Sequence, residues 1–211
     1  MYRRHFIRSV LSAAALAATA QAAQAAEPTI LVVGDSLSAE YGIARGTGWV
    51  ALLEKKLAAE KIAAKVVNAS ISGDTTAGGR SRLPALLKTH QPAIVVIELG
   101  SNDALRGLSL DMTAANLTAM TQAAQKAGAR VLLAGMQMPP NYGAAYGKQF
   151  SDLFGQVAKA NGAALVPFML KGVADQADTL KLFQADRIHP TAEAHPTILA
   201  NIYPSLRKTL P

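Results

Sequence analysis

Ser36, in Gly34-Asp35-Ser36-Leu37, and His189, in Asp186-Arg187-Ile188-His189-Pro190, could together carry out nucleophilic chemistry. A serine hydroxyl attacks poorly at neutral pH unless a base takes its proton, and that base needs a group that fixes its tautomer and stabilises its cation. His189 can serve as the base. Asp186, three residues earlier in the same loop, can reach Nδ1 while Nε2 faces the serine. Attack on an acyl carbon creates an oxyanion, which needs hydrogen-bond donors fixed in advance. Three donors are available: the backbone N–H of Ser36, the backbone N–H of Gly73, whose missing side chain admits a substrate, and the side-chain amide of Asn102.

These residues need a scaffold that gathers them. Thr29–Gly34, Ala64–Ala69, Ala93–Leu99, Arg130–Ala134 and Ala163–Val166 are short runs rich in branched aliphatics and are predicted as strands. Trp49–Lys61, Met112–Ala127, Tyr146–Asn161 and Pro196–Thr209 are amphipathic at helical spacing; the first aligns Leu52, Leu53, Leu57 and Ala58, the second Leu117, Met120 and Ala124. Strands without polar alternation are buried on both faces, which requires helices above and below a parallel sheet. The alternation predicts a three-layer α/β/α fold with about five parallel strands and right-handed crossovers. In such a sheet ligands bind beyond the carboxyl ends of the strands. Ser36, Gly73, Asn102 and the Asp186–His189 loop follow the first, second, third and fifth strands, so they meet along one edge.

Those four segments resemble the sequence blocks of the SGNH, or GDSL, hydrolase family. The stretches GDSLSAEYGI, NASISGDTT, RLPALLKTHQP, ELGSNDALRG, PPNYG and LVPF extend the resemblance from about Thr29 to the last helix. They are most similar to the family's bacterial acyl-CoA thioesterases, which also act as lysophospholipases and arylesterases. The resemblance implies a flavodoxin-like sandwich. It makes Ser36, Asp186 and His189 the catalytic triad, and Ser36, Gly73 and Asn102 the oxyanion hole. It also implies that the loop 104–109 moves over acyl chains. Ser101 departs from the pattern, since this branch tends to carry a second glycine there. Leu105, Leu108 and Met138 are the expected acyl contacts. Asp35 and Asp103 are expected to fix loops through hydrogen bonds, and His90 and His195 to be solvated or structural. Glu98, in an apolar strand, must be paired if it is buried.

The expected activity is hydrolysis of acyl esters and thioesters through an acyl-enzyme, with no cofactor and no metal. A carbohydrate O-acetyl esterase on the same scaffold is the alternative. From another class comes a flavodoxin-like nucleotide- or flavin-binding module, but no strand is followed by a phosphate-cradling glycine loop.

Composition narrows the context. Half of the 211 residues are hydrophobic and 17% are charged, as in a folding chain of one domain. Cysteine is absent, which excludes disulfides, thiolate metal sites and cysteine nucleophiles. Arg3, Arg4 and Arg8, the apolar run Val10–Ala20 and Ala23-Gln24-Ala25 form an expected export signal over 1–25, followed by a single domain over 26–211. The segment Arg3–Arg8 also resembles a twin-arginine signal. Cleavage would leave 18 basic and 14 acidic side chains, lowering the net charge from +7 to about +4 and removing the argument for nucleic acid. A periplasmic or secreted monomer is expected, acting on small-molecule or lipid acyl substrates and in transient contact with a lipid surface.

Overall fold

The structure, a computed structural model, describes residues 27–176 and 178–210. The expected signal over 1–25 lies outside the described residues. Five parallel strands form one sheet: β1 (Thr29–Gly34), β2 (Lys65–Asn68), β3 (Ile94–Glu98), β4 (Arg130–Ala134) and β5 (Ala164–Val166), in the order β2-β1-β3-β4-β5. Their boundaries fall within two residues of the aliphatic runs. β1 and β3 are central and buried almost throughout, so both of their faces need cover and neither alternates apolar with polar residues.

That cover comes from two helical layers. α1 (Trp49–Ala59) and α6 (His195–Thr209) pack together on one face. The other face carries α2 (Thr76–His90), α4 (Leu110–Lys126) and α5 (Ala144–Asn161). The core joins strand residues such as Val32, Val96 and Leu132 to Trp49, Leu53, Phe150, Phe154 and Ile202.

Two helices have no counterpart among the amphipathic runs. α2 contains Gly78, Gly79 and Pro84, residues that weaken helices in isolation. Its glycines serve close packing: a Cβ on Gly79 would stand 2.3 Å from Leu99 Cδ1, and one on Gly78 would stand 1.9 Å from Asp74 Oδ1. Thr75 caps its start by accepting from Gly78 N–H. The second is α3 (Ser101–Leu105), a single short helix that takes up the first part of the expected mobile loop.

The strand order reverses between β1 and β3, because the chain moves outward to β2 and returns to β3 on the other side. The loops after β1 and β3 therefore diverge and leave a crevice at the carboxyl ends of those two strands. Gly34, the last residue of β1, is paired in register with Glu98, the last of β3. Ser36 and Asn102 follow directly, which puts the nucleophile candidate and the side-chain donor candidate at the switch point. No helix among the described residues is long and apolar enough to cross a membrane.

Candidate active site

Ser36 sits in the turn after β1. Its Oγ is 2.8 Å from His189 Nε2, and His189 Nδ1 is 2.7 Å from Asp186 Oδ2. The network assigns the tautomer: Nδ1–H donates to the carboxylate, leaving Nε2 to accept from the serine hydroxyl. Asp186 Oδ1 accepts from the backbone N–H groups of Ile188 and His189 at 2.9 and 3.0 Å. Partial desolvation raises the Asp186 pKa, but the His189 ring bond and these two N–H bonds outweigh it and hold the carboxyl at about 2. The site thus has a permanent anion behind its base.

The loop bearing His189 is fixed to the rest of the edge by residues that the sequence did not single out. Gln184 N–H donates to His189 carbonyl at 2.8 Å, and the Gln184 side chain donates to the carbonyls of Tyr41 and Pro190. Arg187 takes a left-handed conformation, φ 59°, at the tip of this turn. The Tyr41 ring lies 4.3 Å from the His189 ring, centroid to centroid. Tyr41 belongs to the GDSLSAEYGI stretch, but an isolated exposed tyrosine carries no spacing signal, and Gln184 reads as an ordinary loop amide.

Gly73 has φ +76°, a conformation that favours glycine, and only Arg106 would come within 4 Å of a Cβ there. The Arg106 guanidinium donates to Gly73 carbonyl at 2.7 Å and links this turn to the one after α3. Beneath it, Arg82 pairs with Asp74 at 2.8 Å and donates to the carbonyls of Gly34 and Ala69. One arginine thereby holds the Gly73 loop to the end of β1.

Asn102 lies in α3 and its Nδ2 donates to Asp35 Oδ2 at 3.0 Å. An amide nitrogen carries two hydrogens, so one remains for a ligand. Asp35 is buried and also accepts from Leu37 N–H at 3.0 Å, while Asp103 accepts from the Thr76 backbone N–H, the Thr76 hydroxyl and the Thr113 hydroxyl. Both aspartates therefore fix loops, as expected. Burial pushes the Asp35 carboxyl up to about 6. Glu98 is fully buried and paired, its Oε2 accepting from the Ser38 hydroxyl and Asp35 N–H; burial, then the nearby Asp35, raises its carboxyl well above the usual range. His195 is structural: it is buried, its Nδ1 accepts from Trp49 N–H at 3.0 Å, and burial lowers its pKa. Ser101 opens α3 with a buried hydroxyl that has no hydrogen-bond partner, and the Asn102 bond to Asp35 forms beside it.

The expected acyl contacts come from the loops after β3 and β4, to one side of Ser36 in the sheet order. Leu105 is half-buried in α3, and Leu108 is exposed in the turn that follows. Met138 is half-buried and lines an open cavity of about 300 Å³ with Gln137, Pro139, Gly143 and Ala144. Chemically, the arrangement offers a serine with a base and an anion orienting that base, the equipment for acyl transfer, with Gly73 and Asn102 as the candidate oxyanion donors on loops of the same sheet edge.

The chain has relatives among known proteins. The chain is 50% identical over 204 residues to esterase TesA of Pseudomonas aeruginosa, covering 97% of this chain and 100% of that protein. It is 42% identical over 174 residues to thioesterase 1/protease 1/lysophospholipase L1 of Escherichia coli K12, covering 82% of this chain and 81% of the relative. The crystal structure of TesA superposes with a TM-score of 0.83 at 53% identity, over 86% of this chain and 99% of that one. Residues 32–196 match the GDSL-like lipase/acylhydrolase family, and the chain belongs to that family.

Proposed function

We propose that the protein is a serine esterase and thioesterase that hydrolyses acyl esters and thioesters through an acyl-enzyme. The observation that carries this reading is the aligned series Ser36 Oγ, His189 Nε2, His189 Nδ1, Asp186 Oδ2, with separations of 2.8 and 2.7 Å. In this mechanism Ser36 Oγ attacks the acyl carbonyl carbon as its proton passes to His189 Nε2. Asp186 stabilises the imidazolium and keeps the ring in place. The C–O or C–S bond then breaks, and His189 returns the proton to the departing alkoxide or thiolate. Water repeats the sequence in the second half: His189 takes its proton, hydroxide adds to the acyl carbon, and Ser36 leaves with that proton. Ser36 N–H, Gly73 N–H and the free N–H of Asn102 receive the oxyanion in both halves.

Fatty acyl-CoA, lysophospholipid and aryl esters are the proposed substrates. The names of the relatives support this range, and so does the edge itself. Each loop after the carboxyl ends of the five strands, or the first turn after it, presents an exposed large apolar side chain: Tyr41, Ile71, Leu108 with Met112, Tyr142 and Ile188. Such a rim suits an acyl chain, with Leu105, Leu108 and Met138 as its contacts, and it suits transient contact with a lipid surface better than a carbohydrate O-acetyl ester. An export signal over 1–25 and a periplasmic or secreted location complete the reading. Hydrolysis of p-nitrophenyl esters of graded chain length, together with acyl-CoA, tests it. Turnover that rises beyond the acetyl ester is expected, and activity confined to acetyl esters would contradict the acyl-chain assignment.

A further inference from the structure

Behind the oxyanion loop lies a buried polar chain that the hydrolytic mechanism does not use, and its hydrogen bonds have one consistent direction. The Trp49 indole N–H can only donate, and it donates to Ser38 Oγ at 3.1 Å. Ser38 therefore directs its single hydrogen to Glu98 Oε2 at 2.6 Å. Asp35 N–H donates to the same oxygen at 3.2 Å. Glu98 Oε2 thus accepts twice, while Oε1 is buried with no donor directed at it. Gly34 makes room for this cluster, since a Cβ there would lie 2.7 Å from Glu98 Oε2 and 2.8 Å from Ser38 Oγ.

Asp35 and Glu98 are both buried, and the bond from Asp35 N–H to Glu98 Oε2 sets their two carboxyl groups in the same dry cluster. Each Asp35 oxygen already accepts one donor, Oδ1 from Leu37 N–H and Oδ2 from Asn102 Nδ2. Two carboxyl groups side by side in a dry interior cannot both be anions, and a hydrogen bond between them needs one proton. His189 decides its place. Asp35 is the chain neighbour of Ser36, whose Oγ stands 2.8 Å from His189 Nε2, so the imidazolium that forms there as the serine is deprotonated favours the negative charge on Asp35 and the proton on Glu98.

We propose that Glu98 is a neutral carboxylic acid that donates through Oε1 to the ionised Asp35, and that this bond positions Asp35 to hold the Asn102 amide in the oxyanion hole. Glu98 is then a positioning residue, acting through Asp35 on Asn102, and this role rests on the reading of Asn102 as an oxyanion donor. It explains why an acid ends a fully apolar central strand, and why its Oε1 has no incoming donor. It also keeps a second negative charge away from the site where the oxyanion forms.

Glu98→Gln and Glu98→Ala separate this role from a structural one. The glutamine amide can donate to Asp35 through Nε2 and accept from Ser38 and Asp35 N–H through Oε1, reproducing the neutral acid. Glu98→Gln should keep kcat within about threefold of wild type, whereas Glu98→Ala should lose about tenfold or more in kcat with KM little changed, up to the 10²–10³ of a missing oxyanion donor. Because the alanine variant can also fail to fold, the proton is read directly in the intact protein. The infrared difference spectrum of wild type minus Glu98→Gln at neutral pH should contain the C=O stretch of a protonated carboxylic acid. A glutamine variant as impaired as Asn102→Ala, or a difference spectrum with carboxylate bands alone, would overturn the proposal. A protonated-acid band combined with an Asn102→Ala variant of unchanged kcat would instead overturn the oxyanion reading of Asn102 and leave the proton where it is placed.

Discussion

Replacing Asn102 with alanine removes a donor that has two tasks in the structure, and the two have separate magnitudes. One amide hydrogen goes to Asp35 Oδ2 at 3.0 Å; the other is free for the oxyanion. Losing the second affects only the species in which oxygen carries charge, so it should lower kcat by about 10²–10³, roughly 3–4 kcal/mol, with KM little changed. Losing the first leaves a buried Asp35 oxygen without its donor, which costs about 1–3 kcal/mol of stability. For a chain of this size that corresponds to a fall in Tm of roughly 2–12 °C. The assay is steady-state hydrolysis of a p-nitrophenyl ester beside thermal unfolding of the same preparation. Ser36 should still react with a fluorophosphonate, only more slowly, because its base is untouched. A variant with lower Tm and unchanged kcat would refute the reasoning, since Asn102 would then only brace the turn. A rise in KM with kcat intact would refute it in another way, by assigning the amide to ground-state binding.

Asp186→Asn should lower kcat by up to about 10⁴, the loss seen when an orienting aspartate becomes an amide, and by less if solvent supports the ring at this partly exposed position; activity equal to wild type would show that another group orients His189. The Asp186 carboxyl, held at about 2 against an ordinary 3.8, stabilises the fold fully above pH 4 and loses that contribution as pH falls through 2. Acid unfolding of Asp186→Asn should therefore vary less between pH 4 and 2 than that of wild type, and equal slopes would contradict this. Replacing the exposed Ile71 and Ile188 with serine should weaken binding to phospholipid vesicles while leaving hydrolysis of a short soluble ester within a few-fold; unchanged vesicle binding would remove the lipid-surface contact. Mass spectrometry of the exported protein should find an N-terminus near Ala26, and changing Arg3 and Arg4 to lysine should block export if the twin-arginine route is used.

What the sequence revealed follows from how locally each feature is encoded. β1 and β3 are uninterrupted aliphatic runs, and the GDS, Asn102 and Asp186–His189 segments each follow a strand, so the rule that ligands bind at one sheet edge was enough to bring them together. α2 was hidden because Gly78, Gly79 and Pro84 argue against a helix locally, while the tight approach to Leu99 and Asp74 that requires the glycines is a tertiary fact. Tyr41, Gln184, Arg82 and Arg106 act through contacts with backbone or rings far away in sequence, which composition and periodicity cannot register. Glu98 stood out as an acid in an apolar strand that had to be paired. Only the register of Gly34 with Glu98 and the fold of the turn after β1 give Ser38 and Asp35 as its partners.

The central claim is that Ser36 forms the acyl-enzyme, and intact-protein mass spectrometry after brief incubation with a p-nitrophenyl ester or a fluorophosphonate tests it most directly. The mass should rise by one acyl or phosphonyl group, peptide mapping should place the group on Ser36, and folded Ser36→Ala should neither gain the mass nor turn over ester. An adduct mapped to another residue, or a Ser36→Ala protein that still hydrolyses the ester, would contradict the account.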